Sequence, residues 1–432
     1  MEEVDTKTSA PQQIINKKSQ PGQPSAVQKI LHNTSNSTEQ TLQLIEKHAF
    51  RHGITRSADI TDFSPVKLPV WISLRPNAKC LSQSAGKGLC SDSAKISSIM
   101  EGIEVSTAEN VQAATTTLYS LEEIEASEKR HLNIYAFPLD PCLQRNEKIS
   151  WATGYSLIDH ESCHIPIGML TLDFTIDKHT SRPRHFRSTS NGLASGLTTE
   201  EALVSALLET VERHSITLNN KLNGNLKTID IEGSAPPSIA FVLDELNKND
   251  IEFLIYDATI IEGLYTIESC LYSPSGTIQP TSGSGTSTCL EIAILRAILE
   301  ANQAATILMS GSRDDLAKDI YIANSNNCYD MKSLKKLTKA HRTVDKSEYR
   351  TLEMTPSDEL KFIMEKIRAY TSADIIAYNY TPIDTPIVVC KTLIPYFEGY
   401  YTAKYNSVSE KLSSASDENE SSALKLAAGG RL

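Results

Sequence analysis

The chain has 432 residues, enough for one large domain or two to three average ones, and 40% of them are hydrophobic, so a sizeable core can form. Its 42 basic residues against 53 acidic ones give a net charge of −11, which argues against a non-specific nucleic-acid binder, because such a protein needs a basic footprint. No apolar run approaches the roughly 20 residues of a membrane span, and the polar stretch 1–28 lacks the apolar core of a secretory signal, so the expectation is a cytoplasmic protein that contacts neither nucleic acid nor membrane.

In chain order, helical periodicity falls at 38–50, 92–108, 199–218, 238–248, 289–308 and 357–369. Strand signals, rich in β-branched and aromatic residues, fall at 134–138, 165–173, 251–257, 264–272 and 386–394. Three Gly/Ser stretches, 82–89, 188–197 and 281–287, read as loops that lead straight into a helix. The fold class is therefore mixed α/β (α+β), with three loop-to-helix units. Residues 1–28 and 407–432 are polar and low in complexity and are expected to be disordered, leaving 29–406 as one domain. The eight cysteines are scattered without a CxxC pair, so buried reduced thiols are expected rather than a disulfide framework or a zinc site.

The chemistry concentrates on three of the helices. Ser97, Glu101 and Glu104 lie at i, i+4 and i+7, as do Ser205, Glu209 and Glu212, and Arg296, Glu300 and Gln303. That spacing sets three polar side chains on one stripe of a helix. The residues around the second and third stripes are almost all apolar, so those helices are largely buried and their stripes face a little solvent or a filled cavity. Carboxylates converging there need cations to neutralise them. Three ordinary amphipathic helices with narrow solvated faces would show similar spacing; the shared register and the Gly/Ser stretch before each helix favour a phosphate and metal site. Magnesium takes hard oxygen ligands, one or two carboxylates plus phosphates, helix N-termini attract anions, and Lys87, Arg213 and Arg296 offer fixed positive charge. The expected ligand is a metal-complexed nucleotide, although the chain has no P-loop, no Rossmann fingerprint and no nucleophile elbow.

Taken together, three stretches resemble the YcaO family: RPNAKCLSQSAGKGLCSDSAKISSIMEGIE (75–104), STSNGLASGLTTEEALVSALLETVER (188–213) and TSGSGTSTCLEIAILRAILEANQAATILMSGSRDD (281–315). Weaker similarity at 151–175 and 385–399 extends the resemblance over roughly residues 30–405. It implies a YcaO-type fold with the ATP site lined by the three polar-striped helices, and an ATP-dependent enzyme that phosphorylates the oxygen of a peptide backbone amide. Replacement of that oxygen by an adjacent Cys, Ser or Thr gives an azoline; replacement by external sulfur gives a thioamide. The product would be a ribosomally made, modified peptide such as a bacteriocin. Carried over by position, Glu101, Glu104, Glu209 and Glu212 would hold Mg2+, and Lys87, Ser97, Asn191, Glu201, Ser205, Arg213, Arg296, Glu300 and Gln303 would contact ATP. No residue of the enzyme is expected to act as a nucleophile, cysteines included, because phosphoryl transfer needs positioning and charge neutralisation.

The sequence departs from the family pattern at Val105, where an arginine is common after the second glutamate, and at Ala304–Ala305. The sequence shows no proline-rich tail and no fused leader-binding module, and its RPNAKCLS…GKGL stretch looks most like stand-alone members, which implies a TfuA-like or E1-like partner, a precursor peptide substrate and a homodimer as expectations. Two other functions stay open: an accessory factor for methylthiolation of ribosomal protein S12, and an unrelated amide ligase with carboxylate–metal chemistry.

Overall fold

The computed structural model describes residues 38–111, 117–140, 142–175, 185–221, 227–231, 233, 235–313, 341–349, 354–381 and 386–399. The expected disordered ends, the boundaries at 29 and 406, and Cys328 lie outside these residues. Seven helices are described: α1 (Thr38–Ala49), α2 (Ser91–Ala108), α3 (Leu121–Glu125), α4 (Thr199–Lys221), α5 (Pro237–Lys248), α6 (Leu290–Ser310) and α7 (Pro356–Tyr370). The six long ones match the periodic segments to within three residues at either end. Local chemistry sets some of these ends. Pro356 occupies the first turn of α7 while the Thr355 hydroxyl accepts from the Asp358 N–H, and α6 stops at Gly311, whose φ is +60°.

The strands form three sheets. β1 (Arg56–Asp59), β2 (Val70–Leu74) and β3 (Gln83–Lys87) make an antiparallel meander. β4 (Thr117–Tyr119), β5 (Ile149–Ser156), β6 (Ser162–Pro166), β7 (Leu193–Gly196), β13 (Ile376–Asn379) and β14 (Val388–Leu393) make a sheet ordered β4-β5-β13-β14-β7, with β6 also paired to β5. β8 (Lys227–Asp230), β9 (Glu252–Asp257), β10 (Tyr265–Tyr272), β11 (Thr281–Ser287) and β12 (His341–Thr343) make a third, ordered β11-β10-β9-β8-β12. Two expected strands are corrected. Residues Ile134–Ala136 form a 3-10 turn, and after Ile165 and Pro166 the chain leaves the sheet into another, Ile167–Met169.

A larger correction concerns the Gly/Ser stretches. Each contains a strand where a loop was expected: β3, β7 and β11. Glycine is poor in strands unless another backbone must come close, and here it must. A Cβ on Gly86 would stand 2.1 Å from the Ser98 N and 2.2 Å from the Ala94 O, both backbone atoms of α2. One on Gly283 would stand 2.3 Å from the Ala301 N of α6. The glycines let strand and following helix lie directly on each other, as β3 with α2, β7 with α4 and β11 with α6.

Each of these helices also touches the strand of another unit: α2 meets β7, α4 meets β11, and α6 meets β3. The three units thus close into a ring. The apolar cores lie outside it. One packs α1 and α2 against the six-stranded sheet around Trp151, one packs α5 and α6 on the five-stranded sheet, and one fills the space between α4, α7 and β14. By length and composition α6 is apolar enough to cross a membrane, contrary to the sequence expectation, but its residues form the centre of the second core.

Candidate active site

The inner faces of the ring carry the polar stripes. On α4, between Glu201 and Thr217, only Ser205, Glu209 and Arg213 escape full burial; on α6, from Leu290 to Asn302, only Arg296 and Glu300 do, with Gln303 next. Ser97 and Glu104 on α2 are half-buried and Glu101 is exposed. The accessible line on α4 therefore runs through Arg213 rather than Glu212, whose side chain is buried. These helices cannot turn another way, because the rest of each circumference is apolar and packed.

The carboxylates reach across the ring. Glu104 on α2 accepts from the Ser195 N–H (2.9 Å) and hydroxyl (2.7 Å) on β7. Glu212 on α4 accepts from the Ser284 hydroxyl (2.8 Å) on β11. Glu300 on α6 pairs with the Lys87 ammonium (2.7 Å) on β3. Glu101 accepts from the Ala85 N–H (3.1 Å) of its own strand. Arg213 lies 3.7 Å from Glu209 and 3.9 Å from Glu212. Nine of the thirteen expected site residues thus stand on the three accessible lines, and Glu212 and Lys87 stand against them.

Two do not. Glu201 is buried at the start of α4, where its carboxylate accepts from the Leu197 N–H (2.8 Å) and its own N–H donates to the Thr198 hydroxyl, which is helix capping. Asn191 lies in the turn before β7, lining a cavity that Arg213 also lines.

Burial and mutual repulsion both act on these carboxylates. Solvent reaches them from one side, while protein surrounds them on the others. Burial pushes the Glu104 carboxyl up to about 8, against its bonds to Ser195, and Glu101 and Glu209 add repulsion. Burial raises Glu209 to about 7, Arg213 opposing and Glu212 and Glu300 assisting. Burial also raises Glu101. Glu300 alone is held below the usual range: burial opposes its ionisation, but Lys87, Arg213 and Arg296 prevail. At Glu101 and Glu209 the neighbouring cations, Lys87 and Arg313 for the one and Arg213 and Arg296 for the other, do not overcome burial, and the charges acting on Glu104 are the Glu101 and Glu209 carboxylates. A divalent cation with hard-oxygen preference fits this donor set. Among the described residues no three acidic, histidine or cysteine side chains are gathered to cage a metal by themselves, so such an ion would share its coordination with ligand oxygens.

Sequence reasoning missed Glu268 and Lys391. Burial raises Glu268, on β10, to about 7, and Glu212 adds to it; in the ladder it sits opposite Ser284. Burial lowers Lys391, on β14, to about 8, partly offset by Glu209. Each is a single charge in an otherwise uncharged strand, YTIESCLY and VVCKTL, and that was the available signal. The described cysteines are all free. Burial pushes the Cys163 thiol up to about 12, which leaves it unreactive.

Residues 85–398 match the family described as YcaO cyclodehydratase, ATP- and Mg2+-binding. The chain belongs to the YcaO family. ATP and Mg2+ are accordingly its cofactors. An uncharacterised protein of Methanothermobacter thermautotrophicus is 25% identical over 362 residues, 80% of this chain and 90% of that one. An uncharacterised protein encoded in the tfuA 3′ region of Rhizobium leguminosarum bv. trifolii is 28% identical over 302 residues, 67% of this chain and 70% of that one. Among solved structures, the YcaO of Methanopyrus kandleri bound with AMPPCP and Mg2+ superposes with a TM-score of 0.65 at 20% identity, covering 85% of this chain and 92% of that one. A heterocyclase in complex with substrate and cofactor superposes with a TM-score of 0.69 at 18% identity, covering 86% of this chain and 54% of that one. These likenesses establish a YcaO fold with its α+β architecture.

Proposed function

We propose that this YcaO protein uses ATP to phosphorylate the oxygen of a peptide backbone amide, and that the activated carbon then takes a new partner. The observation that carries this reading is the ring closure, which brings Glu101, Glu104, Glu209 and Glu300 into mutual electrostatic range with Arg213 and Arg296. Glu101, Glu104, Glu209 and Glu212 would hold magnesium, which when bound neutralises phosphate charge and orients the oxygens of the nucleotide. Arg213 and Arg296 bind and orient phosphate from the cationic side of the stripes. Lys87, Ser97, Ser205, Glu300 and Gln303 line the approach, and Glu300 keeps Lys87 fixed through their ion pair. Asn191 and Glu201 act at the margin, Glu201 through the cap of α4.

The amide oxygen attacks the γ-phosphorus and ADP departs with the bridging oxygen. A neighbouring Cys, Ser or Thr side chain, or a sulfide, then forms the new bond to carbon, and phosphate leaves with the former amide oxygen. Nothing here requires an enzyme nucleophile, in keeping with the raised Cys163 thiol. The outcome is an azoline or a thioamide in a ribosomally made peptide. The relative beside tfuA supports a TfuA-like partner, with an E1-like protein as the other candidate. Cytoplasmic location and a homodimer complete the proposal. The carboxylates whose burial the neighbouring cations do not overcome weigh against a purely accessory role, such as in methylthiolation of ribosomal protein S12, since a scaffold gains nothing from them.

The test follows ATP consumption and the mass of a precursor peptide, with and without the partner encoded beside it. Glu209→Gln should lower peptide-dependent ATP use at least 100-fold while the circular dichroism spectrum stays the same. A folded Glu209→Gln protein that turns over ATP normally would remove the metal assignment.

A further inference from the structure

Against α4, beside the carboxylate cleft, lies a partly open cavity of about 80 Å³, room for several water molecules or one small oxyanion. Its walls include the apolar Phe137, Met169, Leu393 and Phe397 and the charged Arg187, Arg213, Lys391 and Glu398. Lys391 is 2% exposed. Its ammonium has three protons to donate. Two go to main-chain carbonyls, Met169 O at 2.9 Å and Thr189 O at 2.5 Å. Among the described residues no carboxylate forms an ion pair with it. A buried ammonium held only by carbonyls is costly, and one donor remains for whatever fills the cavity.

The cavity shares a wall with the carboxylate cleft. Arg213 lines it and also stands beside Glu209 and Glu212, and Lys391 lies within electrostatic range of Glu209. The charge along α4 thus changes from acidic, where a metal-bound nucleotide would sit, to basic at the cavity. A phosphoryl group leaving the nucleotide would cross that boundary at Arg213.

We infer that this cavity is the acceptor pocket: its apolar walls border the peptide residue whose amide is activated, and Lys391, with Arg213 and Arg187, binds the phosphoryl oxyanion formed on that amide. This rests on the proposed amide phosphorylation. The balance is simple. The bond from the γ-phosphorus to the bridging oxygen breaks with its electron pair on ADP, and the bond from the amide oxygen to phosphorus forms. When the nucleophile has bonded to the carbon and given up its proton, phosphate departs with the carbon–oxygen electron pair, an azoline also losing the amide N–H proton to solvent, and phosphate is then a free oxyanion in the same place. Inorganic phosphate is therefore a fair probe of the site.

The experiment saturates the protein with AMPPCP and Mg2+, then titrates inorganic phosphate and follows thermal unfolding. The wild type should gain further stability from phosphate on top of the nucleotide. Lys391→Met should weaken phosphate binding at least tenfold and leave AMPPCP affinity within twofold; Lys391→Arg should retain most of the phosphate effect. If Lys391→Met does not fold, Leu393→Phe, which fills the cavity and leaves its charges in place, should weaken phosphate equally. The inference is overturned if phosphate adds nothing beyond AMPPCP, or if Lys391→Met loses nucleotide and phosphate together, which would make the cavity part of the nucleotide site. Failure of AMPPCP and Mg2+ to bind the wild type would instead defeat the proposed function, and phosphate titrated against the nucleotide-free protein would still decide whether the cavity binds an oxyanion.

Discussion

His214 follows Arg213 on α4 and is buried against three elements. Its Nδ1 accepts from the Glu398 N–H at 2.9 Å, so the ring proton is on Nε2, 3.0 Å from the Tyr370 hydroxyl. Burial pushes the Tyr370 phenol up to about 12, so it stays neutral, and Phe397 stacks on the imidazole at 4.2 Å. A second ring proton would face the Glu398 N–H, and burial lowers the imidazole to about 3. The unfolded chain takes up that proton near pH 6.5, so between about 6.5 and about 3 the unfolded state binds more protons and stability falls as pH falls. The slope from this group is about 1.4 kcal/mol per pH unit. Urea unfolding at a series of pH values should show that loss, and His214→Leu should flatten it. An unchanged slope in a folded His214→Leu protein would mean that other groups carry the acid sensitivity. Nothing in the sequence singles out His214, because its partners come from the segment after β14 and from the end of α7, far away in the chain.

At the scale of elements, the helices were legible and the strands only partly. α4 and α6 announce themselves by apolar residues around a narrow polar line, and their length leaves no strand alternative. β3, β7 and β11 do not, because Gly and Ser have low strand propensity, and their place in a sheet comes from packing against a helix. That packing is testable at Gly86. Gly86→Ala should destabilise the protein by about 3 kcal/mol, since the new methyl meets backbone atoms of α2 that cannot rotate away. Gly276→Ser, in a turn where an added Cβ would meet nothing within 4 Å and φ is +76°, should cost less, through backbone strain alone. Equal losses in denaturant midpoint would show that close packing is not what fixes glycine in β3.

For the whole molecule, closing the ring concentrates carboxylates, and this sets a second pH dependence of opposite sign. Glu104 titrates at about 8 and Glu209 and Glu268 at about 7 in the fold, against about 4.3 in an unfolded chain. Between those values the folded state binds more protons, so their contribution is fully present below about 4.3 and is lost as pH rises through about 7 and then about 8. Metal-free protein should therefore melt at lower temperature as pH rises through that window. Mg2+ with AMPPCP should stabilise it most at the alkaline end and release protons on binding. Calorimetry in buffers of different ionisation enthalpy measures the release. Binding of Mg2+ and AMPPCP with no proton release near pH 7 would contradict the assignment of Glu104 and Glu209 to the metal.

The sequence by itself determined the helices, their polar lines and the family, because helical period and apolar composition are local quantities that fix which face of a helix is buried. It also held the carboxylate pairs Glu101 with Glu104 and Glu209 with Glu212, since i and i+3 neighbours meet on any helix. It could not say which strand each stripe would face. Only the tertiary structure decided that Glu104 meets Ser195, Glu212 meets Ser284 and Glu300 meets Lys87, contacts that span 91, 72 and 213 positions. The same holds for Lys391 and Glu268. A lone charge in an otherwise uncharged strand reads as an oddity until the fold surrounds it, and its meaning lies in what the other elements bring to it.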